Sequence, residues 1–538
     1  MNSLLILLLA SVLWQQPPVR IVQETGGWCS PAIANVTGKV TVNCVGVDPR
    51  ALQRLNAELN RTNLKLADKI RKANQWTTRY KEVEEQLSKT SDDRGLSRKA
   101  EEYLHAGELE KAGSVLDEVL SKEEPGVDRA AIDHYSRGQL FELQFRPLDA
   151  LPHFEKAYQY RPEEAQFGLR YATALADEKD FKRAEPVFLA TLARVRELAK
   201  TSPAANQPYV AGTLNNLADL YSETQRLKEA EAGYLEALGI RRELAKANPA
   251  AYQFDVAMTL NSLASLYRDT QRANEGEAAY LEALDIYRQL AKSNPATYEP
   301  FVAGTLNNLA ILYKRTQRVK EGEAAYVEAR DIFRQLTKTN PAAYQPDLAL
   351  TLNNLGNLYR NTQRLKEAET AFLEALGIRR ELAKANPAAY QPYVANTLNN
   401  LALLYTITRR LKEAQMAYQE ALDIYRPLAD ENPAAYKTYL AASLSNIASL
   451  HADVGNLTEA QVEIEEAVKI RRELWKANPE AVGDELAKSL IFLMQVLTSA
   501  HEPPSAICPL LREARTVAYD PELKVMAFDA GATACNLP

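Results

Sequence analysis

The chain has 538 residues, 46% of them hydrophobic and 25% charged, with 21 glycines and 26 prolines; that balance excludes a collagen-like, a mostly disordered or a polytopic membrane protein. Sixty-four basic residues against 70 acidic ones leave a formal net charge of -6, so no global positive field exists to hold a phosphate backbone, and nucleic acid is not an expected partner. Ordinary domain sizes would divide such a length into roughly three or four globular units.

Residues 1–16 contain an apolar run, Leu4 to Trp14 (LLILLLASVLW). It is too short to span a bilayer and has the length of a signal-peptide core. The expectation is an exported chain, periplasmic or secreted, with cytoplasmic retention as the alternative. The four cysteines form two local pairs near the chain ends, Cys29 with Cys44 and Cys508 with Cys535, which are disulfide candidates in an oxidising compartment. Ordinary thiols are the alternative, the connectivity is open, and neither pair has zinc-ligand spacing.

Between residues 26 and 47, Val36, Val40, Val42 and Val45 surround Thr37-Gly38, the pattern of a short β-hairpin collar too small to stand alone. After Asp48-Pro49, a cap and a first-turn residue, a helix-forming stretch covers 49–90. Leu52, Leu59, Leu66 and Leu87 fall at one heptad position, and Leu55, Trp76 and Val83 at the other. Such a seam predicts a coiled-coil stalk able to join copies of the chain into a homo-oligomer; alternatively it folds back onto the remainder of the chain.

Most of that remainder is a repeat. Asn-Pro recurs at residues 248, 294, 340, 386, 432 and 478, and the phrase TLNNL keeps the same 46-residue step from Thr213 onward. Self-similarity this strict predicts a solenoid, in which each unit buries its apolar face against its neighbours, so the domain-count argument lapses. In the unit taken from Ala211, Leu217, Ala218 and Tyr221 and then Ala230, Tyr234 and Ala237 give one buried face on each of two antiparallel helices.

These residues resemble the tetratricopeptide repeat, whose pattern is L-G-x2-Y, then A-x3-F, then a terminal Pro over 34 residues. The ordinary length occurs once, from Ala131 to Glu164, with Gly138, Phe141, Ala150, Phe154, Ala157 and Pro162 in the family positions. The 46-residue form is similar to the kinesin-light-chain type of repeat of bacterial proteins; its extra residues are expected to lengthen the second helix and its connector, ending at the Asn before Pro. The resemblance implies an all-α fold, a right-handed superhelix (α-solenoid) behind the hairpin and stalk. Nine repeats are expected over 93–486, starting at 93, 131, 165, 211, 257, 303, 349, 395 and 441, with a degenerate tenth in a C-terminal cap over 487–538.

Asn215, Asn216, Asn261, Asn307, Asn308, Asn353, Asn354, Asn399, Asn400 and Asn446 stand one or two positions before the buried pair of each first helix, on the side expected to face the concave groove. Asparagine in mid-helix costs about half a kcal/mol, so its repetition asks for a reason. A column of amides can pair with the backbone of an extended peptide whatever its side chains. The resemblance implies this role for Asn216, Asn308, Asn354, Asn400 and Asn446, whereas Ser262 departs from it. Four positions before these asparagines, Gly212, Gly304, Leu350, Asn396 and Ala442 supply no basic clamp for a terminal carboxylate. Lys314 and Arg360 add a mild positive patch to the groove. The alternative is that the amides bond to neighbouring helices and set the repeat geometry.

No nucleophile and base, phosphate loop or metal-ligand motif accompanies the repeats. The chain is therefore read as non-enzymatic, with no cofactor, no metal and no membrane span. Its expected role is a scaffold holding a protein or peptide partner in the groove, or else a structural, regulatory accessory subunit of a fixed complex.

Overall fold

A computed structural model describes residues 29–33, 40–44, 83, 95–106, 108–122, 127–144, 146–531 and 535. The signal segment expected over 1–16 and, apart from Val83, the stalk expected over 49–90 lie outside the described residues. Two short antiparallel strands, Cys29–Ile33 and Val40–Cys44, pair with Cys29 opposite Cys44 and Ile33 opposite Val40. From residue 95 on, every described element is a helix. Two compact units divide the chain, Met1–Leu348 and Ala349–Pro538.

In the first unit the early helices are short: Gly95–His105, Leu109–Lys122, Val127–Leu143, Pro147–Tyr160 and Ala165–Asp177. From Phe181–Thr201 they settle at 21 residues: Pro203–Glu223, Leu227–Ala247, Pro249–Asp269, Ala273–Ser293, Pro295–Arg315 and Val319–Thr339. The second unit continues the same lengths in Leu365–Ala385, Pro387–Ile407, Leu411–Glu431, Pro433–Asp453, Leu457–Ala477 and Pro479–Ser499, and ends on the shorter Pro504–Val517 and Pro521–Gly531. A helix of this length measures about 30 Å.

The Asn-Pro pairs explain the regularity and correct the sequence reading. Asn248 ends Leu227–Ala247 as its C-cap, at φ -142 and ψ 82, outside the helical region that a residue before proline avoids. It is also the N-cap of Pro249–Asp269, its side chain accepting the Ala251 N–H at 3.3 Å, with Pro249 in the first turn where no N–H is needed. Asn294, Asn386, Asn432 and Asn478 repeat the device. The added residues therefore lengthen the first helix at its N-terminus as well as the second helix. No connector exists, and the first helix begins at Pro203, eight residues before the Ala211 taken as a unit boundary.

Within a unit the two helices are joined by three residues. In Thr224-Gln225-Arg226, Thr224 closes the first helix with its hydroxyl on Leu220 O at 2.9 Å, Gln225 turns the chain at φ 62, and Arg226 N–H returns to Tyr221 O at 2.8 Å. Arg226 then lies over the Tyr221 ring at 4.1 Å and pairs with Glu229 at 3.0 Å, the local pair its sequence spacing suggests. A second partner, Glu185 of the preceding second helix at 2.6 Å, was not expected. Arg272 with Glu231, Arg318 with Glu277 and Arg410 with Glu369 repeat it. All are half-exposed, so each contributes little alone.

The aromatic residue in each second helix forms the core: Tyr280 and Tyr326 in the first unit, Phe372 and Tyr418 in the second, are fully buried, each worth about 1.5–3 kcal/mol in apolar burial. Cys508 and Cys535 are joined in a disulfide that fixes the chain beyond Pro521–Gly531 to Pro504–Val517. Among the described residues no helix is long and apolar enough to cross a membrane.

Candidate functional site

The lengthened first helices carry the candidate surface. In Pro203–Glu223, Leu214, Leu217, Ala218 and Tyr221 are buried, while Tyr209, Gly212, Asn216 and Asp219 form an accessible stripe at alternating steps of three and four residues. Asp255, Met258, Ser262 and Ser265 repeat the stripe in Pro249–Asp269, and Phe301, Gly304, Asn308 and Ile311 in Pro295–Arg315. In the second unit it reads Tyr393, Asn396, Asn400 and Leu403, then Tyr439, Ala442, Asn446 and Ser449.

The two members of each Asn pair have different fates. Asn215, Asn307 and Asn353 are buried, which corrects their placement on the open groove side. Adjacent helical residues differ by about 100° in direction, and the first of the pair is turned into the next repeat. Asn215 Oδ1 accepts from Thr259 Oγ1 and from Arg241 Nη1, both at 3.2 Å. Asn261, half-buried, accepts from Thr305 at 3.4 Å, and Asn399 donates to Ser443 Oγ at 2.6 Å. The second member stays on the stripe. There Asn216 donates to Thr173 of the preceding repeat at 3.2 Å and Asn400 to Asn353 at 3.1 Å; Asn308 and Asn354 are half-buried and Asn446 is exposed.

A buried arginine braces several of these clasps. Arg241 donates to the Asp255 carbonyl at 3.2 Å and to Thr259. Burial pushes its guanidinium below the ordinary value, an effect the Asp255 carboxylate opposes. Arg379 occupies the corresponding place in the second unit, bonded to Thr397 and to the Tyr393 carbonyl at 3.0 Å with no carboxylate partner, and burial pushes it down to about 10.

Sequence reasoning missed the aromatic members of the stripe because it began each first helix too late. Tyr209 and Phe301 are each 39% exposed, Tyr393 41% and Tyr439 51%. Each of three packs one face on the end of the preceding second helix. Phe301 stacks on Tyr287 at 5.4 Å, Tyr439 on Tyr425 at 5.8 Å, and Tyr393 lies over Arg379 at 5.6 Å. The legible signal was the 46-residue step itself, which places 209, 301, 393 and 439 in one phase with Asp255 and Asp347.

Lys314 and Arg360, the basic residues expected in a groove, are both half-buried. Arg268, on the same phase in the first unit, is bonded through Nε and Nη2 to Asp269 at 3.0 and 3.1 Å. Away from the stripe, His134 and His153 meet Nδ1 to Nδ1 at 3.0 Å. Burial is the chief cause lowering both imidazoles, His134 to about 4. The neighbouring Asp133 is enclosed with neither carboxylate oxygen hydrogen-bonded, and burial raises it to about 6.

Comparisons with known proteins bear on the repeat. Two family models, both described as tetratricopeptide repeat, match residues 301–381 and 347–427, and residues 210–249, 256–295 and 440–475. No curated protein matches the chain. Among solved structures, the chain is similar to BtubC (BKLC) from P. vanneervenii at 22% identity, over 46% of this chain and 92% of that one, with a TM-score of 0.39. It is similar to the apo quorum sensor NprR from B. thuringiensis at 18% identity, over 66% and 98%, with a TM-score of 0.44. A putative kinesin light chain with nearly identical repeats from Podospora anserina gives 18% identity over 40% and 95%, with a TM-score of 0.32. The chain therefore carries tetratricopeptide repeats, matched in five segments between residues 210 and 475.

Proposed function

We propose that the chain is a non-enzymatic protein-interaction scaffold whose first-helix stripes bind an extended peptide segment of a partner protein. The observation that carries this reading is the recurrence, at one helical phase, of accessible amides beside half-exposed aromatic rings: Asn216 with Tyr209, Asn308 with Phe301, Asn400 with Tyr393 and Asn446 with Tyr439. Amides serve the backbone of a ligand, and flat rings braced from behind supply apolar area at low entropic cost. A leader at 1–16 would export the scaffold, and association through 49–90 would make weak grooves multivalent.

The inter-repeat bonds of Asn215, Asn261 and Asn399 favour a second reading. In it the amides serve the solenoid of an accessory subunit that buries against one fixed partner. Binding of the full chain to an array of end-capped random hexapeptides separates the two. Under the groove reading, Asn308→Ala with Asn446→Ala abolishes peptide capture and leaves the melting temperature unchanged. Capture of no peptide by the native chain, or lowered melting with an unchanged bound set, would refute it.

A further inference from the structure

Arg360 is the basic side chain of the stripe that has lost its partners. It stands near the C-terminal end of the helix Pro341–Asn361, inside the second unit, half-buried, with Nη1 enclosed and bonded to no acceptor. Its counterpart two repeats earlier is Arg268, which shows what the position ordinarily requires. Arg268 has Asp269 as a carboxylate partner, reaches the Tyr280 hydroxyl at 3.5 Å, and is closed over by Arg315, which bonds to Arg268 O at 3.1 Å and to Asp269 at 3.2 Å. At the same 92-residue offset the sequence holds Asn361 for Asp269, Phe372 for Tyr280 and Ile407 for Arg315. Only the buried tyrosine is kept, Tyr326 becoming Tyr418.

The consequence is an uncompensated cation. Burial is the largest influence on Arg268 too, yet the bond and charge of Asp269 together with the Tyr280 and Tyr326 phenols outweigh it and raise the group; Arg360, helped only by the Tyr418 phenol, is lowered by burial. A guanidinium left half-desolvated attracts an external carboxylate more strongly than a fully hydrated one would, because less water must be displaced and the local dielectric is lower. At the position from which Arg315 covers Arg268, the second unit holds Ile407, which is exposed, so an apolar side chain replaces the second cation there.

Resting on the peptide-groove reading above, we infer that Arg360 is the seat for an Asp or Glu side chain of the bound peptide, with an apolar neighbour of that residue lying on Ile407. The hexapeptide array applied to the full chain tests this. The captured set is enriched in Asp or Glu over Asn or Gln at one position, next to an apolar residue, and replacing that acid by its amide in a captured peptide weakens binding about tenfold or more, the loss of a charged hydrogen bond. Arg360→Gln makes the acid and amide peptides bind alike, at the level of the amide peptide on the native chain. Asn361→Asp, which rebuilds the internal partner without removing the cation, also erases the preference, while Arg268→Gln leaves it intact. Peptides captured with no acid preference, or a preference that survives Arg360→Gln, would overturn the inference and leave the groove reading standing. Capture of no peptide overturns both.

Discussion

Replacing Arg379 by methionine should stabilise the second unit. The side chain is 3% exposed and holds a charge with no carboxylate beside it. Its folded value of about 10 lies below the ordinary 12.5, and at about 1.4 kcal/mol per pKa unit the charged form is penalised by about 3 kcal/mol at neutral pH. The sign is that of a cation lowered on folding: the penalty applies at every pH below the folded value and fades only above it. Removing the guanidinium leaves no hydrogen-bond partner stranded, since Thr397 Oγ1 still donates to the Tyr393 carbonyl at 3.0 Å. The array already fills the equivalent place with Tyr287, Phe333 and Tyr425, all buried. Methionine keeps the volume without the charge, so Arg379→Met should gain about 1–3 kcal/mol, within the range found when buried ions are replaced by apolar residues. Because repeat arrays open locally, the measurement is native-state hydrogen exchange of the amides in Leu365–Ala385 and Pro387–Ile407. Protection that falls in both helices would refute the reasoning and show that the bonds to Thr397 and Tyr393 outweigh desolvation.

Three further outcomes are expected. Asn294→Ala removes the bond to Thr297 N–H at 3.3 Å and should lower the exchange stability of Ala273–Ser293 and Pro295–Arg315 by about 1 kcal/mol; no change would mean that proline alone sets the junction. Gly483→Ala drives a Cβ into Val517 O, a backbone atom that cannot swing aside, so Pro504–Val517 should lose protection while helices before residue 433 keep theirs. Asp133, raised from 3.8 to about 6, contributes stability that is present below its unfolded value and lost as pH rises through 6. Asp133→Asn should therefore stabilise the first unit at pH 7 by at most about 3 kcal/mol and leave it unchanged near pH 3; equal denaturation midpoints at pH 7 would argue that an ion pair offsets the burial of the carboxylate.

The buried faces were legible because each unit repeats them: Leu217, Ala218 and Tyr221, then Ala230, Tyr234 and Ala237, all lie in the interior. The start of each first helix was not legible. A second proline follows the first by five residues at Pro208, Pro300, Pro346 and Pro392, so the stretch reads as a connector. In the structure these prolines sit in the second turn, where each removes one backbone bond and the helix continues. The division of labour within each Asn pair was hidden for another reason. Periodicity gives the angle of a residue around its own helix, and the fate of Asn215 is decided by Thr259 and Arg241 on other helices. Arg360 was visible as a basic residue, but its significance needed Arg268 to show which partners are missing.

A single residue closes one helix and opens the next, and this sets how such a chain can change in length. Between Pro203 and Ser499 the helices are separated alternately by three residues and by one, so no slack segment exists to absorb an insertion. One added residue inside a helix turns the remainder of that helix by about 100° and changes which of its side chains face outward. Gains and losses that keep the stripes aligned therefore come in whole units of 46 residues. The protein can lengthen its reach only by adding another pair of helices, with its own amide, its own ring position and its own chance to leave an arginine unpaired.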